Sequence, residues 1–201
     1  MWKEDLHNHS HINIRSETTV VAAVLADTHI PDRVSGLHPQ LLPAIKNRAV
    51  DLIIHAGDIA HPRVLQELGT LAPVYSVRGN RDLLFIRSLP LIQRLNINGA
   101  RFFITHGHLG VYDYWRDKME NVLHGYQFNR YYRRLHAAAV DADVVIYGHS
   151  HHAENQLRDH KLFFNPGSCS VAEKPDFKLS FGIIEISSHG EVKAEIISLE
   201  G

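Results

Sequence analysis

Several short apolar runs in this chain break off at a glycine, a carboxylate or a histidine, and the sharpest is Ile53-Ile54-His55-Ala56-Gly57-Asp58. An apolar run of this length bounded by a turn signal reads as a buried parallel strand, and ligands in open α/β sheets gather just beyond the carboxyl ends of such strands. Asp58 therefore stands where chemistry is usually placed. Its two oxygens can each face a different cation, which makes it the candidate bridge of a two-metal site. The arrangement recurs along the chain. The run 18–26 ends in Asp27-Thr28-His29, and 73–77 precedes Arg78-Gly79-Asn80-Arg81-Asp82. Residues 100–105 lead into His106-Gly107-His108, and 143–147 into Gly148-His149-Ser150-His151.

Helix-period apolar residues over 39–49 and a second helical pattern over 61–68 separate the first three runs, the signature of βαβ units with a parallel sheet. The second half changes character. Asn98-Gly99 joins the runs 91–97 and 100–105, the strongest short hairpin signal. Residues 111–139 read as helical, and 161–164, 179–186 and 191–199 read as further strands. Antiparallel pieces after parallel ones predict an α/β (α+β) fold, a four-layer αββα sandwich of two mixed β-sheets flanked by helices.

With 201 residues, 44% of them hydrophobic, the chain supports one domain. Residues 1–17 are polar and histidine-rich without periodicity and read as a disordered or tag-like tail, leaving a domain over 18–201 with a helical insert at about 111–139. Within the tail, Asp5-Leu6-His7-Asn8-His9-Ser10 resembles the opening metal motif of the polymerase-and-histidinol-phosphatase phosphoesterases. That segment precedes the first strand instead of ending one, and no later motif of that family follows. A formal net charge of -1 gives no global basic field, so no stable nucleic-acid complex is expected. The single cysteine, Cys169, excludes an internal disulfide framework. No apolar stretch approaches the roughly 18–20 residues of a membrane span, and Met1-Trp2-Lys3-Glu4-Asp5 is not a signal peptide, so a cytoplasmic location is expected.

The strand ends supply carboxylate oxygens, an amide oxygen and imidazole nitrogens without thiolates. That donor set suits Mn²⁺ foremost, with Fe, Zn²⁺ or Ni²⁺ as alternatives. Two cations about 3.5–4 Å apart share a hydroxide and clamp the attacking and leaving oxygens at phosphorus. Each motif alone is weak: Asp-x-His and Gly-Asp after a strand are usually turn chemistry. Gly148-His149-Ser150-His151 is stronger, because two imidazoles two residues apart in an extended segment point the same way. Five such motifs in this order, each ending an apolar run, are hard to explain by coincidence.

Asp27-x-His29, Gly57-Asp58, Gly79-Asn80-x-Asp82, His106 and Gly148-His149-x-His151 together resemble the calcineurin-like metallophosphoesterase superfamily. Thr105-His106-Gly107-His108 and Asn165-Pro166-Gly167-Ser168, with the small size, resemble its YfcE-like phosphodiesterases. The resemblance covers roughly residues 20–199. It implies two divalent metal ions, with Asp27, His29, Asp58 and His151 on one and Asp58, Asn80, His106 and His149 on the other. It also implies phosphodiester hydrolysis by a metal-bridging hydroxide, without a covalent enzyme intermediate. Asp58, Asn80, Arg81 and His108 are the expected catalytic residues.

Where many members of the superfamily carry a histidine after the Gly-Asn pair, this chain has Arg81. Arginine is a poor proton donor but matches phosphate oxygens bidentately, so Arg81 is expected to bind phosphate and not to act as a general acid. A surface arginine paired with Asp82 or a neighbouring acid is the competing reading. His108, shared with YfcE-like relatives, is expected to contact phosphate; His61 and His152 are alternative proton donors or solvent-facing residues, and His55 lies within its strand. Ser168 lies in turn chemistry and Cys169 has no evident partner, so neither reads as a nucleophile.

His106 and His149 are 149 − 106 = 43 positions apart. The stretch between them carries Tyr112, Tyr114, Trp115, Arg116, Tyr126, Arg130, Tyr131, Tyr132, Arg133 and Arg134. Such residues either stack a base and hold a phosphate, favouring a nucleotide-like substrate, or pack one aromatic helix side on the sandwich. The expected partner is a small phosphoester substrate, with no membrane and an open oligomeric state. Competing readings are a phosphomonoesterase or dinucleoside polyphosphate hydrolase, and a non-enzymatic metal-binding scaffold resembling the retromer subunit of this fold.

Overall fold

Alternation along the strands decides which residues meet. In β2 (Val20–Leu25) and β3 (Leu52–His55), Ala22, Val24, Leu52 and Ile54 face a second sheet, while Ala23, Leu25 and Ile53 face helices. The computed structural model describes residues 10–82, 86, 88–108, 110–171 and 178–199. Helix α1 (Leu41–Asn47) lies between β2 and β3, and α2 (Pro62–Gly69) precedes β4 (Val74–Ser76). These helices cover the outer face of one sheet through Leu41, Ile45, Val64 and Leu68. The short helix expected after Asp82 falls outside the described residues.

The hairpin β5 (Ile92–Ile97) and β6 (Ala100–Thr105) turns at Asn98 and Gly99, both with positive φ (51° and 96°), as the sequence pair predicts. Helices α3 (Val111–His124) and α4 (Phe128–Ala138) follow. After them come β7 (Val144–Ile146), β8 (Ala153–Arg158), β9 (Lys161–Pro166), β10 (Ser180–Ile186) and β11 (Val192–Ser198).

The described strands form two mixed sheets. With β1 (Ser10–Ile14), the order in one is β1-β5-β6-β7-β9-β8; in the other it is β11-β10-β2-β3-β4. Phe102, Ile104, Val144, Ile146 and Phe164 from the first sheet meet Val24, Ile54 and Ile184 from the second. On the first sheet's outer face, Phe103, Val145 and Phe163 pack under Tyr131, Tyr132 and Leu135 of α4. The architecture is a four-layer αββα sandwich.

One expectation is corrected. Residues 10–14, read as part of a disordered or tag-like tail over 1–17, form β1 and pair in parallel with β5 from Ser10↔Gln93 to Ile14↔Ile97. The cause is a two-residue period: Ile12 and Ile14 rest against the inter-sheet core while His11 and Asn13 face solvent. The Asp5–His9 part of the tail motif lies outside the described residues. No helix among the described residues is long and apolar enough to cross a membrane.

Candidate metal centre

The strand ends from both sheets converge through backbone contacts. Asp27 N–H donates to Gly57 O and His29 N–H to Asp58 O, both at 3.0 Å, which locks the loops after β2 and β3 together. Gly57 holds φ at +90°, and a Cβ there would lie 2.8 Å from both Gly79 N and His106 Nδ1. A Cβ on Gly79 would lie 2.1 Å from Asp58 Oδ1. These two glycines are what let three loops close on one point.

Asp27, His29, Asp58, His149 and His151 all have positive φ, between 50° and 71°. Non-glycine residues seldom adopt this region, and such strain concentrates where surrounding structure holds side chains to a task.

Asp27 and Asp58 are held alike. Asp27 Oδ2 accepts from the His149 N–H (3.0 Å) and Asp58 Oδ1 from the Arg81 N–H (2.8 Å). Each carboxylate thus spends one oxygen on a loop and turns the other inward. Asp27 Oδ1 lies 3.4 Å from His151 Nε2, 3.7 Å from His29 Nε2 and 3.9 Å from His106 Nε2. Asp58 Oδ2 lies 3.4 Å from His106 Nε2 and 3.8 Å from His29 Nε2. Asp58 was expected to turn each oxygen to a different cation; Oδ2 is the oxygen nearest the His106 and His29 imidazoles, and Oδ1 accepts from the Arg81 N–H with a second lone pair to spare.

Among the described residues, the donor atoms fall into three groups, each with its atoms within 4.8 Å of one another: Asp27, His29 and His151; Asp27, Asp58 and His106; and His106, His108 and His149. Asp27 belongs to two of them, whereas the resemblance assigns it to one metal. His108 joins the imidazoles of His106 and His149, with ring centroids 5.3 and 5.4 Å away.

The donors fit a divalent cation. Ligands at about 2.0–2.2 Å from a metal stand about 3.0–3.5 Å from each other at right to tetrahedral angles. His29 Nε2 and His151 Nε2 are 3.2 Å apart, and the Asp27 contacts above begin at 3.4 Å. Asp27 Oδ1, Asn80 Oδ1 and His106 Nε2 are buried with no hydrogen-bond partner among the described residues, which is costly unless another group satisfies them. His106 Nδ1 lies 2.7 Å from Ala56 O and so carries the proton, leaving Nε2 as the lone-pair donor.

Burial alone would lower the His106 pKa, but the Asp58 and Asp27 carboxylates outweigh it and raise it to about 10, so Nε2 becomes a lone-pair donor when a cation displaces its proton. Burial would raise Asp58, yet His106 holds it at about 2. Burial, reinforced by His106, lowers His149 to about 4 and His108 to about 2, so both are neutral donors at physiological pH.

The supporting shell was only partly legible. Asp82, part of the Gly79-Asn80-x-Asp82 motif but without an assigned role, accepts from the N–H groups of Asp58 (3.0 Å), Ala60 (2.7 Å) and Gly79 (2.8 Å). It ties the Asn80 loop to the Asp58 loop, and Arg81 Nη1 meets Asp32 Oδ2 at 3.0 Å, the pairing with a neighbouring acid that the competing reading allowed. Asn165 Nδ2 donates to Gly148 O (3.1 Å), fixing the loop that carries His149 and His151. Ser168 Oγ donates to Asp27 O (2.9 Å) and accepts from Val171 N–H, a structural use. His61 caps α2 by accepting from Arg63 N–H, and burial lowers His55 to about 3.

The aromatic insert serves mainly as packing. Tyr131 and Tyr132 of α4 are buried against the first sheet, and Arg134 forms a two-point ion pair with buried Asp117 of α3. Tyr126 stacks on His152 with centroids 3.9 Å apart and donates to Glu154 Oε1. Trp115 and Arg116 are exposed, and the side chains of Tyr112 and Tyr114 lie outside those described.

A calcineurin-like phosphoesterase superfamily domain matches residues 21–189, spanning every loop of this cluster. The chain belongs to the calcineurin-like phosphoesterase superfamily. A probable metallophosphoesterase of Methanothermobacter thermautotrophicus is 32% identical over 78% of this chain and 81% of its own length. A phosphodiesterase of Methanocaldococcus jannaschii is 26% identical over 73% of this chain and 82% of its own. The crystal structure of Vps29 complexed with Zn²⁺ from Entamoeba histolytica aligns with a TM-score of 0.62 at 25% identity, over 89% of this chain and 99% of that one. Calcineurin-like phosphoesterases use divalent metals, and the three donor groups are where this member has the residues to hold them.

Proposed function

We propose that this protein is a phosphodiesterase that works with two divalent cations, Mn²⁺ foremost. The observation that carries the reading is the paired disposition of Asp27 and Asp58, each with one oxygen tied to a loop amide and one turned among imidazole Nε2 atoms. Asp27, His29 and His151 would hold one cation and Asn80, His106 and His149 the other, with Asp58 Oδ2 between them. Cations in this position supply Lewis acidity toward phosphoryl oxygens and make water acidic enough to attack at neutral pH.

The chain's own groups do the rest. Ala56 O fixes the His106 tautomer, and Asp82 fixes the loop that presents Asn80 and Arg81. The Arg81 guanidinium, beside Asn80, offers a planar fork to phosphate oxygens and stays charged throughout, so it steadies negative charge without giving up a proton. His108, beside His106 and His149, contacts the phosphate or completes the donor set. The relative named a phosphodiesterase supports the diester over the monoester.

A second reading, an interaction module, is favoured by one feature. Trp115, Met119 and Leu123, spaced four residues apart on α3, are 56%, 64% and 68% exposed.

Stripping the metal, adding back Mn²⁺ and comparing an activated aryl phosphodiester with the matching monoester separates the readings. Metal-dependent cleavage favouring the diester, lost in Asp58→Asn, is the expected result. Preference for the monoester would overturn the diester assignment, and no turnover of either by metal-loaded protein would favour the interaction module.

A further inference from the structure

Two loops meet at the rim of the cluster through one ion pair. Arg81 is built into the wall of the site, because its own N–H donates to Asp58 Oδ1 at 2.8 Å. Its guanidinium reaches outward, with Nη1 3.0 Å from Asp32 Oδ2. Asp32 belongs to the loop after β2 and stands three residues past His29. The two side chains are 40% and 38% exposed, so the pair meets solvent at the mouth of the site and is not part of the packed core. Asp82, the nearer acid in sequence, is committed to three backbone amides and leaves Arg81 to Asp32.

We propose that Asp32 is a specificity-determining residue that holds Arg81 at the mouth of the site and disfavours doubly charged phosphate monoesters relative to singly charged diesters. The inference rests on the phosphodiesterase reading and names the feature of this chain that sets the preference. Arg81 has donors to spare for a phosphate oxygen while Asp32 engages one of them, because a guanidinium carries five N–H groups in a fixed fork. A substrate seated there feels the carboxylate as well. A monoester above its second ionisation carries close to two negative charges, a diester one. For a unit charge roughly 7 Å from a carboxylate in a solvent-like medium, the additional repulsion is about threefold in an equilibrium constant at low salt. Because an exposed pair contributes little to folding, its charge can be changed without unfolding the loops.

The test uses the metal-reconstituted full chain and the variants Asp32→Asn and Asp32→Glu, with bis(p-nitrophenyl) phosphate and p-nitrophenyl phosphate at pH 8. Asp32→Asn is expected to raise the monoester-to-diester ratio of kcat/KM by about threefold at low salt. Added salt should shrink the difference, and Asp32→Glu should restore the original ratio. A ratio unchanged in Asp32→Asn, or changed equally by Asp32→Glu, would overturn the inference and leave the pair a structural one. Calorimetric binding of inorganic phosphate against dimethyl phosphate gives a second readout, independent of turnover. If metal-loaded wild-type protein cleaves neither substrate, the phosphodiesterase reading fails. In that case stronger phosphate binding relative to dimethyl phosphate in Asp32→Asn would still support the charge role of Asp32, and unchanged relative binding would refute it.

Discussion

At the scale of single residues, buried polar atoms in this protein are used in pairs of commitments. His55 illustrates it: Gly57 N–H donates to its Nδ1 (3.2 Å), so the proton sits on Nε2, 3.3 Å from Thr28 Oγ1. A second proton would oppose the Gly57 amide, and burial holds the pKa at about 3 against an ordinary value near 6.5. The sign follows. The unfolded chain gains a proton on His55 below about pH 6.5 that the folded protein refuses until about pH 3, so this residue's effect on stability becomes unfavourable as pH falls through that window. His55→Gln, which keeps a polar side chain without titrating, is expected to cost about 1–2 kcal/mol at pH 8. It should also flatten the loss of stability between pH 6.5 and 4 in urea denaturation. An acid limb as steep as that of the wild type would show that His55 is not the buried neutral group described. Residue type and spacing alone marked Asp27, His29, Asp58, Asn80, His106, His149 and His151. They did not mark which oxygen of Asp58 faces inward, since that depends on Arg81 N–H, a contact across 23 positions.

At the scale of elements, the edges were the hardest to read. β1 carries only two apolar residues, Ile12 and Ile14, at strand spacing inside a polar segment. Replacing both with alanine is expected to lower stability by about 2–4 kcal/mol, because each rests partly buried on the inter-sheet core. A denaturation midpoint unchanged from wild type would mean that the segment is loosely attached after all. β8, with the sequence AENQLR, was missed for a related reason. It is an edge strand whose side chains are mostly exposed, so hydrophobic alternation had nothing to mark; backbone pairing with β9 defines it. The central strands were legible because both of their faces are buried, which forces continuous apolar runs. The aromatic residues between His106 and His149 admitted two readings, and packing of Tyr132 against Phe163 and of Tyr131 against Tyr147 favours the sandwich-facing one.

At the scale of the whole molecule, two sheets stacked face to face bring five loops from both halves of the chain to one place. The first sheet supplies His106, His149 and His151, and the second Asp27, His29, Asp58 and the loop holding Asn80. The two-cation account requires that distant loops complete each other, such as those of Asp27 and His149, 122 positions apart. The most direct measurement is the metal content of the purified chain, stripped and then equilibrated with Mn²⁺ and freed of excess, for wild type and for Asp58→Asn. The account predicts two ions per chain in the wild type and loss of at least one in the variant, since Asp58 Oδ2 lies between the imidazoles of His29 and His106. One ion per chain in the wild type, or two retained at undiminished affinity in Asp58→Asn, would contradict it.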